Sequence, residues 1–285
     1  KGIIINRFRG DITLFDSGRD WIEKETGIPI LGILPWMNEQ FPPEDSLDLL
    51  EKKSVNLQAD IQIAVIKLPS LSNFSDLDPL FFEETINVRW VEYSQQLGNP
   101  DVVILPGSKQ TIKDLELLSR TSLINQIKEF AKKGGSIFGI CGGLQMLGKT
   151  LEDPFFRESS KIENPSGKIS GLNLLPLHTV FSNKKNLLQR KEIISWPKSL
   201  EITGFELHHG KSQSLVNKGT EIKPLFDDLS LGWIKEGEKK SFIGGTYMHG
   251  IFENGEWRRE WINQIRERKG LEPINTNKPH HTEKR

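Results

Sequence analysis

Apolar and polar positions along the chain fall into two successive patterns. Residues 2–6 are a continuous apolar run of the kind buried on both faces of a parallel sheet, residues 16–26 read as a helix, and residues 29–35 read as a second strand. A single βαβ unit is too small to cover its own faces, so residues 1–55 are expected to be the end of a domain that begins earlier. A loop with two prolines at 41–46 and a short helix at 47–53 place the boundary there. A second, complete pattern then begins, with strands expected at 61–66, 88–91, 101–105 and 136–140 and helices at 111–118 and 122–133. An irregular segment at 69–79, rich in serine and aspartate, separates the first two of these strands. Strands alternating with helices predict a parallel sheet covered on both faces, with ligands bound beyond the carboxyl ends of the strands, where Gly107 and Cys141 fall.

Beyond residue 154 the periodicity weakens. Residues 158–168 are polar and proline-broken, which suggests a surface loop; 171–177 look like a strand, and 181–190 are mixed. Strands resume at 202–208 and 231–234, and a charged turn at 235–240 joins the latter to 241–249 in a hairpin expected to end at His249. Residues 256–269 form a helical pattern with Trp257, Trp261 and Ile265 spaced four apart on one face. The expected organisation is a domain remnant at 1–55, a complete α/β domain at 56–274 and a disordered polar tail at 275–285.

Composition narrows the partners. Lysine plus arginine equals aspartate plus glutamate, 38 against 38, so charge favours neither nucleic acid nor an anionic membrane. One cysteine in 285 residues excludes an internal disulfide and a cysteine-rich zinc site and fits a reducing compartment. No apolar run reaches the roughly 18 residues of a membrane span, and no signal-peptide pattern opens the chain, so a soluble, cytoplasmic protein is expected.

The lone cysteine carries the chemistry. Gly139-Ile140-Cys141-Gly142-Gly143 follows a strand and opens a helix, a G-x-C-x-G form of the nucleophile elbow. Glycines two residues either side suit a turn where backbones approach too closely for a Cβ. At a helix N-terminus the sulfur would sit where the dipole and free N–H groups favour negative charge. The alternative is a small buried hydrophobe, the commonest fate of a free cysteine. A thiol nucleophile needs a base and oxyanion donors. Of six histidines, His280 and His281 lie in the tail and His178 in a weak region, whereas His208, His209 and His249 end strands. His249, beside Gly250, can reach the same sheet edge as Cys141; a loop histidine satisfied by neighbours is the other reading.

Four blocks carry a resemblance: Leu105-Pro106-Gly107-Ser108-Lys109-Gln110-Thr111 with Asp114-Leu115, Gly139 through Gln145, Gly204-Phe205-Glu206-Leu207-His208, and Gly245-Thr246-Tyr247-Met248-His249-Gly250. Over residues 60–270 the chain resembles the C-terminal part of the cobyric acid synthase family, in the CobB/CobQ-type branch of class I glutamine amidotransferases. Residues 4–11 and 26–32 resemble the end of that family's ATP-binding domain. The resemblance implies a flavodoxin-like, mixed but mostly parallel sheet with helices on both faces, preceded by a partial dethiobiotin-synthetase-like α/β segment.

It also implies a mechanism. Cys141 attacks the side-chain amide of glutamine, backbone N–H groups of Gly107 and Gly142 form the oxyanion hole, and His249 passes the thiol proton to departing ammonia. The γ-glutamyl thioester is then hydrolysed. Gln145 and Ser108 are implied glutamine-binding residues, Gln145 having helix packing as an equal alternative, and Glu206 and His208 are read as structural. Position 251 is Ile, where many class I enzymes have a histidine-orienting glutamate, which implies a Cys-His dyad.

No G-x-x-x-x-G-K-[ST] phosphate loop occurs in the chain. No cofactor or metal is expected on it, and ATP and Mg2+ are expected for an absent synthetase portion, lost, separately encoded or cut away. The implied pathway amidates peripheral carboxylates of a corrinoid, adenosylcobyrinic acid a,c-diamide, through that ATP-binding portion. Other readings are a glutaminase subunit for a Mur-ligase-like partner, a Cys-His peptide hydrolase and a degenerate binding domain.

Overall fold

The apolar runs at 61–66, 102–105 and 136–140 are buried at nearly every position, which requires cover on both faces, whereas the run at 2–6, expected to be buried, is not, with Ile4 60% exposed. The computed structural model describes residues 1–8, 15–35, 58–159, 164, 166–216 and 221–276. The expected boundary at 41–53, the tail from 277 and residues 160–163 and 165 of the expected loop lie outside the described residues. The chain divides into two compact units, Lys1–Asp48 and Leu49–Arg285.

The first unit is one βαβ motif: β1 (Ile3–Phe8), α1 (Asp16–Thr26) and β2 (Ile30–Pro35), the strands parallel. Helix α1 stops at Gly27, whose left-handed φ of 65° turns its N–H onto the Glu23 carbonyl at 2.8 Å. None of its residues is buried.

The second unit holds two sheets. Strands β3 (Ile61–Ile66), β4 (Ile86–Val91), β5 (Val102–Leu105) and β6 (Ser136–Ile140) come first, then β7 (Thr150–Glu152), β8 (Lys168–Ser170), β9 (Leu177–Ile194) and β10 (Leu200–Ser214). They are followed by β11 (Lys223–Pro224), β12 (Gly232–Glu236), β13 (Phe242–Thr246) and β14 (Met248–His249). The larger sheet has the order β11-β12-β13-β6-β5-β3-β4, parallel from β13 to β4 and antiparallel at β11 and β12. The smaller has the order β14-β10-β9-β7-β8 and is antiparallel except for β7 beside β9. The helices of this unit are α2 (Asp78–Phe81), α3 (Thr111–Ser119), α4 (Ser122–Lys132), α5 (Gly142–Leu147) and α6 (Gly255–Arg268).

The expected apolar stripe of α6 is the back of the core. Trp257, Trp261 and Ile265 are all buried, and the Phe138 ring of β6 lies 6.0–6.1 Å from those of Phe252, Trp257 and Trp261. Burying such aromatic side chains contributes about 2–3 kcal/mol each and fixes the strand that ends at Cys141.

Two expectations are corrected. Residues 171–176 are not a strand: Asn173 has a left-handed φ of 59°, and the N–H groups of Leu172, Asn173, Leu174 and Leu175 donate to the carbonyls of Met146, Gly148 and Leu147. The run is apolar because it caps and covers the end of α5, whose last carbonyls have no partner within the helix. The mixed stretch 181–190 lies within the 18-residue strand β9, where polar residues follow from exposure.

The turn from β6 to α5 depends on contact with β5. A Cβ on Gly143 would lie 1.9 Å from the Leu105 carbonyl oxygen, and one on Gly139 would lie 2.6 Å from the Leu144 nitrogen. Gly143→Ala is expected to cost about 2–3 kcal/mol of stability in urea unfolding, because backbone must move to admit one methyl. An unchanged midpoint would contradict this contact.

Candidate active site

Four neighbouring parallel strands deliver the site. In sheet order these are β13, β6, β5 and β3, and their carboxyl ends lead to His249, Cys141, Gly107 and Asp76 respectively. The loops after β3 and β5 are joined by hydrogen bonds from Ser72 N–H to the Gly107 carbonyl at 3.0 Å and from Lys109 N–H to the Ser70 carbonyl at 2.8 Å. Asp76, in a short 3-10 turn at Phe74–Leu77, is thereby held beside His249.

Cys141 has φ 51° and ψ −109°, a conformation that costs a non-glycine residue about 1–3 kcal/mol and marks it as the elbow. Its thiol lies 3.5 Å from the Leu207 carbonyl oxygen. His249 is 1% exposed, stacked on Phe205 with ring centroids 5.1 Å apart. Its Nδ1 is 2.7 Å from Asp76 Oδ2, while the other Asp76 oxygen accepts the Gly250 N–H at 2.8 Å. A carboxylate only accepts, so Nδ1 carries hydrogen and Nε2 is left for the cysteine.

Burial alone would lower the His249 pKa, but hydrogen bonds and charge interactions with Asp76 and Cys141 outweigh it and raise it to about 10. The expected dyad thus gains a third member. Asp76 lies 173 residues from His249, and its only sequence signal was its place after the first strand of the parallel sheet.

A cavity of about 180 Å³ opens on Cys141, lined also by Ser108, Gln145, His208, His209, Lys109 and Glu158. A larger one, about 390 Å³, shares no lining residue with it and lies against Trp233 and Asp228. The smaller is the candidate site, because Cys141 lines it and does not line the larger. Gly107 and Gly142 frame it: a Cβ on Gly107 would come within 3.4 Å of the His249 ring, and one on Gly142 within 3.0 Å of Ser108 N. The Ser108 hydroxyl is committed to Asp114 Oδ2 at 2.7 Å and also accepts the Gln110 N–H at 3.0 Å, so it holds the loop's shape. Burial keeps the Asp114 carboxyl above its usual range, against hydrogen bonds from Ser108 and Ser70.

Gln145 is 2% exposed, its Nε2 bonded to the His209 carbonyl at 2.9 Å and the Tyr247 hydroxyl at 3.1 Å. His178 instead pairs with Thr150 and Glu152. Glu158, which sequence reasoning placed in a loop, accepts the Ile112 N–H at 2.9 Å. Burial, helped by repulsion from Asp153 and Asp114, lifts it to about 7. No motif spacing marks it; only the fold brings its loop to α3. Among the described residues no group of three or more His, Cys, Asp or Glu is placed to hold a metal ion, and no helix is long and apolar enough to cross a membrane.

An elbow cysteine with an aspartate-oriented histidine on an α/β sheet defines a cysteine-nucleophile hydrolytic site. The family profile of the CobB/CobQ-like glutamine amidotransferase domain matches residues 62–257, and the chain belongs to that family. Cobyric acid synthases are similar to it along its whole length: that of Prochlorococcus marinus strain NATL1A is 62% identical over 285 residues, that of strain MIT 9313 54%, and that of Synechococcus sp. strain WH7803 50% over 289 residues. The chain spans only 57–58% of these relatives' own length. A solved glutamine amidotransferase aligns at a TM-score of 0.49 and 15% identity, over 73% of this chain and 99% of that one, too loosely to bear on function.

Two measurements test this geometry. Asp76→Asn removes a contact that raises the His249 pKa and leaves burial to lower it, so the alkaline limb of kcat/KM should move to lower pH, with kcat down about 10²–10⁴-fold. An unshifted limb would show that Asp76 does not set the ring's charge. Glu158, raised in the folded state from an ordinary 4.5 to about 7, binds its proton more tightly folded than unfolded. Its contribution to stability is therefore complete below about 4.5 and lost as pH rises through about 7. Between pH 5 and 8 the Tm of wild type should fall relative to that of Glu158→Gln, and parallel curves would refute the burial of this charge.

Proposed function

We propose that this chain supplies ammonia from glutamine for the amidation of corrinoid carboxylates, the reaction suggested by the name of its relatives. The observation that carries the reading is the Cys141–His249–Asp76 constellation at one end of the parallel sheet, opening on a cavity of amino-acid size. Cys141 Sγ attacks the glutamine Cδ, and the oxyanion is received by Gly107 and Gly142 N–H groups. Protonated His249 donates to the departing ammonia, leaving a γ-glutamyl thioester. Water, deprotonated by the now neutral ring, hydrolyses the thioester to glutamate and returns the thiol. Gln145 lines the subsite for the amino-acid end of glutamine, where Glu158 and Lys109 offer opposite charges to its ammonium and carboxylate.

The acceptor half is assigned elsewhere. We place carboxylate activation in a synthetase portion of which residues 1–55 would be the end, with 56–274 the glutaminase domain. The corrinoid, adenosylcobyrinic acid a,c-diamide, would bind there, and the whole would work in the cytoplasm.

The test is release of glutamate and ammonia from glutamine, with and without an added synthetase portion. Cys141→Ala should lose at least about 10³-fold in kcat/KM. Wild type that releases neither product under both conditions would overturn the reading, and cleavage of peptides would replace it with a peptidase.

A further inference from the structure

Glu206, His208 and Tyr247 have no part in the steps above, yet they converge on Gln145. The carbonyl of His209 can only accept a hydrogen bond, so the Gln145 nitrogen must face it, at 2.9 Å. The second hydrogen of that nitrogen goes to the Tyr247 oxygen at 3.1 Å. The Tyr247 hydroxyl is also hydrogen-bonded to Ser212 Oγ at 2.6 Å, and Ser212 Oγ to Thr179 Oγ1 at 2.6 Å. All four side chains are buried, and burial keeps the Tyr247 phenol protonated far above neutral pH. A continuous chain of hydrogen bonds therefore links Gln145 to Thr179.

The tyrosine that anchors this chain is itself clamped. The His208 ring stacks on it with centroids 3.8 Å apart, and His208 is fixed by Glu206 Oε1 at 2.7 Å and the Gly210 carbonyl at 2.9 Å. Arg190 holds the other oxygen of Glu206 at 2.6 and 2.8 Å, which, behind His208 as the largest cause, helps keep that carboxyl ionised down to about 2.

We propose that Tyr247, Ser212 and the Glu206–His208 clamp are positioning residues for glutamine recognition. With both hydrogens of its nitrogen consumed, Gln145 can offer the substrate only its carbonyl oxygen, an acceptor matched to the α-ammonium of free glutamine. The Glu206–His208 block is thus the support of a specificity device: it prevents the amide from flipping and presenting a donor instead.

This inference rests on the glutaminase reading, and the experiment separates the two. Inactivation is followed with 6-diazo-5-oxo-L-norleucine, which reaches Cys141 only through amino-acid recognition, and with iodoacetamide, which needs none, alongside steady-state glutamine hydrolysis. Tyr247→Phe keeps the ring under His208 and deletes the hydroxyl; Ser212→Ala removes the hydroxyl bonded to it. In both, the KM for glutamine and the half-saturating diazoketone concentration should rise about tenfold, while iodoacetamide alkylation stays within about twofold. Equal losses with both reagents would reveal a merely structural role, and no change with either would remove the device; each result overturns the proposal. A wild type that is alkylated by iodoacetamide but neither hydrolyses glutamine nor reacts with the diazoketone would instead fell the glutaminase reading, and this inference with it.

Discussion

The backbone of Cys141 is held where an unconstrained residue would not stay. Its φ of 51° carries a cost of about 1–3 kcal/mol, and the surrounding contacts supply what offsets it. Strand β6 is fixed by the aromatic rings behind Phe138, α5 is pressed onto the Leu105 carbonyl through Gly143, and residues 172–175 close the far end of α5. Two features of the site, the Cys141 sulfur and Gln145, take their place from this turn. The sulfur points into the cavity because strand and helix meet at this angle, and Gln145 enters the same cavity because it lies one turn further along α5.

The second dependence is electrostatic. A buried imidazolium costs several kcal/mol unless paired, and Asp76 pairs it while its second oxygen is occupied by the Gly250 N–H. The ring is therefore fixed in tautomer and orientation by an element far away in sequence. A Cβ on Gly107 would lie 2.8 Å from Ser72 Oγ, so the loop after β5 can close on the loop after β3 beside the His249 ring. Across the cavity, Gln145 is fixed by a chain of hydroxyls ending in the smaller sheet. The two sheets thus hold different residues of the site, Cys141 and His249 being set at the parallel edge and Gln145 being tied to β9 and β10.

Much of this was legible in the residues. The elbow could be read because a sharp strand-to-helix turn restricts side chains locally, and Gly139 and Gly143 are that restriction written in sequence. Strands β3, β5 and β6 were legible because burial on both faces demands unbroken apolar runs, and α6 because its tryptophans repeat at helical spacing. Strand β9 was not, since its exposed polar stretch obeys no period. The run 171–176 misled because apolar residues that cap a helix look like those of a short buried strand.

The sequence by itself determined the elbow at Cys141, the strand-end histidine and the alternation that makes a parallel sheet, all properties of short windows of chain. Only the tertiary structure decided which carboxylate orients His249, which glutamate enters the cavity, and which way the amide of Gln145 faces. Those depend on pairings across 173, 46 and 102 positions, between Asp76 and His249, Ile112 and Glu158, and Gln145 and Tyr247. No local pattern encodes such pairings, because each partner is selected by strand order and by the need of a buried polar group to find a partner wherever the fold has put one.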